Sequence, residues 1–591
     1  TELAQIWAGV LKLDRVGRHD HFFELGGHSL LAVTLIERMR KAGLHTDIRS
    51  LFNTPTLAAL AKVISTNTNA NVVEIPPNLI PAQSETITPD MLSLVKLSQE
   101  EIDRITQAVP GGAANVQDIY PLVPLQEGIL FHHLMTKEGD PYLLYRLARF
   151  SSRSKLDRYL EAMQSVIDRH DTLRTAIQWE GLSEPVQVVW RQALLRIEEV
   201  ELEETGEDAG KRLLARFHPR HYRIAVSQAP LKQIFIAHDR ADGNWVMLDL
   251  FHHLVGDHST MEVEYQEIQS YLLGREAELA APLPFRNFVA QAKLGVSREV
   301  HQAFFTDMLG DVDEPTAPFG LLDIQGDGGG IVESKRMVAP DVSKRLRQCA
   351  RTLGVSAASI CHLAWAQVLS KVSGRDDVVF GTVLFGRMQG GEGADKVMGL
   401  FINTLPIRIR LDDCSAQDGV YKTHRLLTQL MHHEHAPLVL AQRCSGVAAP
   451  MPLFSSVLNY RHNAGVDLND SKAESAVQES QFQTAWEGIE FLESEERTNY
   501  PFTLSVDDFG DEFGLDVQVH ASLDPQRICG LMHCALEGLI TALEKRPQTA
   551  ISKLGILPEQ ERYQILEEWN STQAHYPQDK CIHALFEEQV V

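Results

Sequence analysis

A break in composition near residue 66 divides this 591-residue chain into two unequal parts. The break begins with the polar run Thr66–Asn71 and continues through several prolines. Such a stretch favours an extended linker over a packed core. We place this linker at 66–113, interrupted by one helix, because Ser98 and Glu101 have the spacing of a capping box. The pattern predicts a multidomain protein with a small first domain and a much larger second region.

The first part, residues 1–65, has the apolar spacing of short helices. Leu3, Trp7 and Val10 recur at helical intervals, and a loop rich in His, Asp and Gly then leads to a second helix at Ser29. We expect a small all-α bundle of four helices, which is marginally stable at this size. The chain starts without Met, so we expect it to be excised from a longer protein.

The second part, residues 114–555, alternates strand-like runs such as Trp245–Phe251 with helix-like runs. Because about 440 residues is too many for one ordinary core, we expect an α/β region of two lobes. We place these lobes at 114–285 and 286–555, with a second linker at 556–591.

Composition excludes several classes of protein. The formal net charge is −24, which disfavours binding to nucleic acid and to anionic membranes. The chain contains no apolar run near the ~18–20 residues that a membrane span needs. Its seven cysteines form no C-x-x-C pair, which predicts reduced thiols in a cytoplasmic protein rather than a disulfide framework or a zinc knuckle.

The run Phe22–Leu30 predicts an anion site. Gly26 and Gly27 leave Ser29 exposed at a helix N-terminus, where free N–H groups and the helix dipole suit a phosphodiester. A helix-capping serine is the plain alternative. The run resembles the Leu-Gly-Gly-His-Ser-Leu motif of peptidyl carrier domains in nonribosomal peptide synthetases. The resemblance implies that Ser29 carries 4′-phosphopantetheine, added by a phosphopantetheinyl transferase.

A second motif lies between a predicted strand and a predicted helix. His252 and His253 end the strand, and we expect Ser259 with Glu262 to cap the helix. A strand-to-helix exit holds a side chain rigidly, and His is a common general base. The alternative is a zinc site built from the His and Asp residues of 252–258. We favour no metal, because adjacent side chains of an extended segment point to opposite faces.

The run His252–His258 resembles the His-His-x-x-x-Asp-Gly signature of condensation domains. Further motifs of that family follow in the family's order: Ile119–Gly128, Arg169–Thr175, Phe380–Arg387, Gly399–Pro406 and Pro452–Phe454. The resemblance implies a two-lobed fold like chloramphenicol acetyltransferase, with a tunnel between the lobes. It also implies that His253 acts on the attacking amine, beside His252. We expect Asp257 to be structural and paired with Arg174, and Arg387 to lie near the site.

The chain departs from that signature at His258, where the family usually has Gly. Gly reaches a left-handed backbone conformation that His adopts less readily. The departure therefore bears on the conformation of the loop at this position.

A third motif is the run His132–Asp140, at the end of a predicted helix. A polar helix end with a Gly-Asp turn is the plain interpretation. The run resembles the second His motif of dual epimerisation/condensation domains, His-His-Leu followed by four residues and Gly-Asp. A stand-alone epimerisation domain is disfavoured, because 382–387 lacks the Glu-Gly-His-Gly-Arg segment of that class. Helical neighbours lie ~100° apart, so only one of His132 and His133 points inward.

These motifs together predict a module boundary of a synthetase. We expect Ser29 to deliver an aminoacyl or peptidyl thioester, whose donor residue is inverted from L to D and joined to the amine on a downstream carrier. The tail resembles the linker into an adenylation domain, so adenylation domains are expected partners. The pair His432-His433 is expected to be structural. Three alternatives remain open: an ordinary condensation domain, a gate that binds without reacting, and a metal-dependent hydrolase.

Overall fold

The structure is a computed structural model. It describes residues 2–590 apart from positions 12, 23–24, 26, 28, 45, 47–49, 52–53, 65–72, 204–206, 323–329, 388–396, 413, 463–484, 496–499 and 576–577. The helices among these residues are α1 (Glu2–Leu11), α2 (Ser29–Lys41), α3 (Leu57–Val63), α4 (Gln99–Ala108), α5 (Pro124–Met135), α6 (Arg153–Arg169), α7 (Ala209–Phe217), α8 (His258–Leu272), α9 (Arg286–Leu294), α10 (Arg298–Leu309), α11 (Pro340–Leu353), α12 (Ala357–Ser373), α13 (Ala416–Leu430), α14 (Leu438–Arg443), α15 (Pro525–Lys545), α16 (Glu559–Tyr563) and α17 (Ile582–Val590). The strands are β1 (Val116–Pro121), β2 (Leu143–Phe150), β3 (Thr175–Gln178), β4 (Val186–Trp190), β5 (Arg196–Glu199), β6 (Lys232–His238), β7 (Trp245–His252), β8 (Ile331–Met337), β9 (Asp377–Leu384), β10 (Asn403–Arg410), β11 (Ser456–His462), β12 (Ile489–Glu495), β13 (Phe502–Asp508) and β14 (Phe513–His520).

The first domain is all-α, as predicted. Helices α1, α2 and α3 pack around a core in which Trp7 and Phe22 are fully buried. Their rings meet edge to face with centroids 5.3 Å apart, an arrangement that aromatic pairs prefer. Ser50 and Leu51 are also helical, but they adjoin residues outside the described ones, so the full extent of a fourth helix stays a prediction.

The segment from 73 to 113 differs from the extended linker that its composition predicts. Helix α4 begins with the expected capping box of Ser98 and Glu101. Ile102 and Ile105, on its apolar face, are buried in one cluster with the small sheet β1-β4-β3. An amphipathic helix needs such a partner for its apolar face, and the segment is therefore packed. The polar run Thr66–Asn71 lies outside the described residues, and the domain boundary stays a prediction.

The first lobe is built on a five-stranded sheet of order β12-β2-β7-β6-β5. Helices α6, α7 and α8 contribute to its core. The predicted strand Trp245–Phe251 is confirmed as β7. Strand β7 pairs antiparallel with β2 so that Leu143 lies opposite His252. This register brings the residues just before β2 beside the His252-His253 motif.

The second lobe is built on a six-stranded sheet of order β10-β9-β11-β13-β14-β8. Helices α11, α12, α13 and α15 share its core. The two-lobed α/β architecture is thus confirmed, but the division at 285/286 needs a correction. Strand β12 returns to the first lobe and pairs with β2, while Trp486 stacks on Tyr265 of α8 at 4.1 Å between ring centroids. Periodicity along the chain does not reveal which sheet a late strand joins.

No individual helix among the described residues is long and apolar enough to cross a membrane. One pair, α11 with α12, is long and apolar enough only when both helices are taken together, and the two are bent by 111° relative to each other.

Candidate active site

The two histidine motifs of the first lobe meet at one carboxylate. Asp140 Oδ2 lies 2.5 Å from His133 Nδ1 and 3.0 Å from His252 Nε2. All three side chains are buried. His133 and Asp140 come from the His132–Asp140 motif, whereas His252 comes from the His252–His258 motif. Sequence reasoning placed both motifs in the same lobe, and the β2–β7 register is what joins them.

The hydrogen bonds of His252 fix its tautomer. Its Nδ1 accepts from the backbone N–H of Leu254 at 3.2 Å, so this nitrogen carries no proton. The proton of the neutral ring is therefore on Nε2, which donates to Asp140. Burial lowers the pKa of His252, an effect that Asp140 opposes. Because both ring nitrogens are hydrogen-bonded inside the protein, His252 is suited to positioning rather than to accepting a substrate proton.

Asp140 is held as a carboxylate. Burial by itself would raise its pKa, but His252 and His133 together lower the pKa well below the usual range of Asp. Its second oxygen, Oδ1, accepts from the backbone N–H of Tyr142 at 3.0 Å. Three N–H groups therefore converge on this carboxylate, and it acts only as an acceptor.

The turn that returns Asp140 to His133 is sterically tight. Gly139 has φ of +68°, and an added Cβ there would clash with the backbone carbonyl group of Arg220. Arg223 donates to the carbonyl oxygens of His133 and Thr136 and so caps the end of α5. The seven-residue spacing of His133 and Asp140 is thus set by a helix end followed by a turn that only Gly fits.

The structure resolves which of the paired histidines faces the cluster. His133 is the one that reaches Asp140, while His132 is half-buried and lies with its ring centroid 6.0 Å from that of Tyr142. Burial lowers the pKa of His132. The two rings thus have different neighbours, as the ~100° between helical neighbours predicts.

His253 begins a 3-10 turn, His253–Val255, directly after β7. The residue is 7% exposed, and its backbone N–H donates to the carbonyl of Tyr142 at 2.9 Å. Gln126, fully buried in the first turn of α5, donates to the carbonyl of Leu254 at 2.7 Å. The backbone that carries His253 is therefore held by hydrogen bonds from two sides.

Asp257 fastens the start of α8 to the segment 397–401. Its Oδ1 caps the helix by accepting from the N–H of Thr260 at 3.0 Å, and its Oδ2 accepts from the N–H of Phe401 at 3.2 Å. Arg387 donates to Asp257 at 3.3 Å and is fully buried. Its guanidinium lies 3.9 Å from the centroid of the Phe401 ring. The structural role expected of Asp257 agrees with these contacts.

Two expectations about this aspartate are wrong. Its arginine partner is Arg387, not Arg174, because Arg174 instead donates to Gln117 at 3.0 Å and to the carbonyls of Trp190 and Arg191. The cap of α8 is Asp257 itself rather than Ser259. The helix begins two residues earlier than predicted, and Asp is as good an N-cap as Ser.

His258 is the first residue of α8 and lies on the surface, with its Nε2 3.4 Å from Glu262. Among the described residues, only Gln83 and Phe319 are non-glycine residues with positive φ. The backbone at 258 is therefore helical, and a histidine in place of the family's glycine causes no strain.

The zinc alternative is not supported by the arrangement of 252–258. Asp257 is bound to α8 and Arg387, while His258 points to the surface. In the part of the chain that the structure describes, the one group whose ligand atoms converge is His133, Asp140 and His252. There, His252 accepts at Nδ1 and so carries a proton on Nε2, which is incompatible with metal ligation by that nitrogen. These three residues form a hydrogen-bond network.

Ser29 is the first residue of α2, as predicted; its side chain lies outside what the structure describes. Gly27, two residues earlier, has no room for a Cβ against the ring and carbonyl of Phe22. Gly27 thus lies close against Phe22, two residues before a helix N-terminus, and such a terminus fits a phosphate group.

Three supporting residues were not chosen from the sequence. Asp140 and Gln126 stood within the motifs that carried the resemblance, but nothing in the spacing identified their partners. Thr260, whose hydroxyl contacts the backbone N and O of Gly399 at 2.9 and 3.0 Å, gave no signal at all.

The two-lobed fold, the turn that carries His253 and the helical domain ahead of them together define the class of protein to which this chain belongs. Residues 116–566 match the family model of the condensation domain, and residues 1–64 match the phosphopantetheine attachment site. The chain belongs to the condensation domain family and carries a phosphopantetheine carrier domain at its start. The cofactor predicted from the Gly-Gly-His-Ser motif, a covalent 4′-phosphopantetheine, is confirmed.

Two synthetases of Mortierella alpina are similar to this chain. The chain is 48% identical over 589 residues to malpinin synthetase and 49% identical over 588 residues to malpibaldin synthetase. These matches cover 100% of this chain but only 7% and 10% of the two relatives. Among solved structures, a holo four-domain nonribosomal peptide synthetase bound to AMP and glycine aligns with a TM-score of 0.63 at 14% identity, over 80% of this chain and 36% of that one. This likeness shows the fold alone.

Proposed function

We propose that this chain takes part in nonribosomal peptide synthesis and that its condensation domain both inverts the donor residue and forms the peptide bond. One observation carries the dual assignment: Asp140, from the motif that resembles dual domains, is hydrogen-bonded both to His133 of that motif and to His252 of the condensation motif. The carrier would hold the donor on Ser29. The partners would be a downstream aminoacyl carrier, adenylation domains and a phosphopantetheinyl transferase, in the cytoplasm.

For bond formation, the proposal gives His253 the role toward the attacking amine that the resemblance of His252–His258 to the condensation signature implies. When bound, the phosphopantetheine arm supplies a thioester, which activates the donor carbonyl and acidifies its Cα. The amine nitrogen attacks that carbonyl carbon, the C–S bond breaks, and the amine proton passes through His253 to the departing sulfur. Both reactants arrive tethered, so proximity supplies part of the rate. Asp257 and Arg387 are buried and bonded to each other, so the proposal gives them the role of holding the loop.

For inversion, a base must take the Cα proton from one face and a second group must return a proton to the other. A single imidazole reaches one face at a time, so the site needs two groups. His253 is one candidate. The other comes from the His132-His133 pair, of which His133 has its Nδ1 occupied by Asp140.

The test measures both steps with matched donors. The protein is loaded on Ser29 from L-leucyl and other L-aminoacyl coenzyme A thioesters and incubated in D2O, and deuterium at Cα is followed by mass spectrometry. A glycyl-loaded carrier is then added, and the chirality of the hydrolysed dipeptide is determined. We expect deuterium exchange at Cα of the donor and a dipeptide in which the donor residue is D.

Three outcomes would replace the proposal. Coupling of L donors with retention and without exchange would make this an ordinary condensation domain. Binding of loaded carriers without any product would make it a gate. Activity that disappears on chelation would favour a metal-dependent hydrolase. Ser29→Ala is the loading control, since it should gain no mass from coenzyme A and transferase.

The double variant His132→Ala, His133→Ala then separates inversion from coupling. With L donors we expect no product. With D donors supplied ready-made, coupling should largely survive. Equal failure with both donors would make the pair structural.

A further inference from the structure

The two histidine motifs share one hydrogen-bond acceptor, the carboxylate of Asp140. Asp140 accepts one N–H group from the ring of His133 and one from the ring of His252, but the second nitrogen of the two rings differs in its contacts. His252 has its second nitrogen, Nδ1, occupied by the N–H of Leu254. His133 donates from Nδ1, and its Nε2 has no hydrogen-bond partner among the residues that the structure describes.

The His133 side chain also keeps a small contact with solvent, being 7% exposed, whereas the side chains of His252 and Asp140 are 0% exposed. A carboxylate that accepts from Nδ1–H holds a neutral imidazole in the tautomer whose Nε2 bears the lone pair. Of the two rings bonded to Asp140, only His133 therefore presents a basic nitrogen that is not already used by the fold.

We propose that Asp140 is a positioning residue for inversion: it fixes the tautomer of His133 so that Nε2 of this ring takes the Cα proton of the donor. This inference rests on the proposed dual function. In the step, the Cα–H bond breaks, the proton moves to Nε2 of His133, and the electron pair shifts toward the carbonyl carbon and oxygen. The proton returned to the opposite face comes from a second group, and water re-equilibrates both groups.

The geometry makes Asp140→Asn a sharp perturbation. An Asn amide has one acceptor oxygen where Asp140 has two, so it cannot accept from all three N–H groups. With its oxygen toward the N–H of Tyr142, its NH2 group opposes His252 Nε2–H and donates to His133 Nδ1, so that His133 takes the opposite tautomer, in which Nε2 carries the proton and is no longer a base. With its oxygen toward the two rings, its NH2 group opposes the N–H of Tyr142, and His133 keeps its tautomer but loses the negative charge that stabilises the imidazolium formed in the step.

Coupling is expected to depend less on this residue. His253 is held by its own backbone bond to the carbonyl of Tyr142 and by the contact of Gln126 with Leu254. Neither bond involves the Asp140 carboxylate. Inversion and coupling should therefore respond differently to the same substitution, which a general loss of structure would not produce.

The experiment compares three proteins, each loaded with an L donor that the unmodified protein exchanges. For Asp140→Asn we expect Cα deuterium exchange to fall by ~10²–10⁴-fold, while coupling of the matching D donor falls by less than ~10-fold. Glu138→Gln is the matched control, because it removes an exposed carboxylate two residues away, and it should leave both rates unchanged. His133→Asn keeps a donor for Asp140 but has no basic nitrogen, and it should lose exchange as Asp140→Asn does.

The outcomes separate the inference from the proposed function. If the unmodified protein shows no exchange with any donor, the dual function fails. If it does exchange and Asp140→Asn or His133→Asn exchanges at a similar rate, the positioning role is wrong. Equal losses of exchange and of D-donor coupling would reduce Asp140 to a structural residue of the fold. Should Asp140→Asn be insoluble, the exchange and coupling rates of His133→Asn decide the inference.

Discussion

Replacing Asp257 tests how the turn that carries His253 is held. This carboxylate caps α8, accepts from the N–H of Phe401 and pairs with Arg387, which is fully buried. Removing one partner of a buried ion pair costs about 3–5 kcal/mol, because the remaining charge is left without compensation. A lost helix cap alone costs only ~0.5–2 kcal/mol. We therefore expect Asp257→Ala to destabilise the condensation domain by about 3–5 kcal/mol.

The assay is differential scanning calorimetry of the loaded chain, in which the Tm of the main unfolding transition is compared between variants. A loss of this size corresponds to a fall in Tm of roughly 3–10 °C for a large domain. Soluble yield should also fall more for Asp257→Ala than for His253→Ala. The matched control is Ser259→Ala, which removes a neighbouring hydroxyl that does not cap α8 and should cost under ~0.5 kcal/mol.

A double-mutant cycle identifies the partner. Asp257→Asn combined with Arg387→Met should show a coupling of about 1–3 kcal/mol, whereas Asp257→Asn combined with Arg174→Met should be additive within ~0.5 kcal/mol. Coupling to Arg174 and additivity with Arg387 would refute the reasoning, since the structure joins Asp257 to Arg387.

Three further predictions follow from single contacts. His253→Ala should slow coupling by ~10²–10⁴-fold in a single-turnover assay while Ser29 still loads; a loss under ~10-fold would assign the rate to tethering. Gly139→Ala should lower both Tm and inversion, because φ of +68° and the Arg220 backbone exclude a Cβ; unchanged inversion would contradict the tight turn. Acid should destabilise the protein between pH 6.5 and 4, because burial lowers the pKa of His362 to about 4. The unfolded chain binds that proton first as pH falls, so stability is full above pH 6.5 and is lost toward pH 4 by about 3 kcal/mol for this residue. The Tm of His362→Gln should therefore depend less steeply on pH over this range.

Much of the candidate site followed from local patterns. The helix that begins at Ser29, the strand that ends at His252 and the capping box of α4 are confirmed where the sequence predicts them. Each depends on residues within a few positions of one another, so apolar periodicity and capping chemistry are sufficient. The family resemblance added the two-lobed fold and the cofactor, because its motifs are long enough to be specific.

The pairing of distant side chains did not follow. Arg387 rather than Arg174 pairs with Asp257 across 130 positions of the chain, and β12 crosses back to pair with β2. From the sequence alone, a carboxylate could pair with any arginine of the chain. The packing of α8 against 397–401 decides that Arg387 is the partner of Asp257. The segment 73–113 is a second example. Its start is polar and proline-rich, which predicts a linker, but the apolar face of its helix α4 packs on the sheet β1-β4-β3, whose strands lie outside the segment.

The sequence by itself determined the order of the domains, the attachment motif at Ser29 and both histidine motifs, since these are written in short runs of adjacent residues. Only the tertiary structure decided that His133 rather than His132 reaches the site, and that Asp140 joins it to His252. The reason is the antiparallel register of β2 and β7, which sets Leu143 opposite His252. Backbone hydrogen bonds between strands over a hundred residues apart fix that register, and no local pattern specifies it.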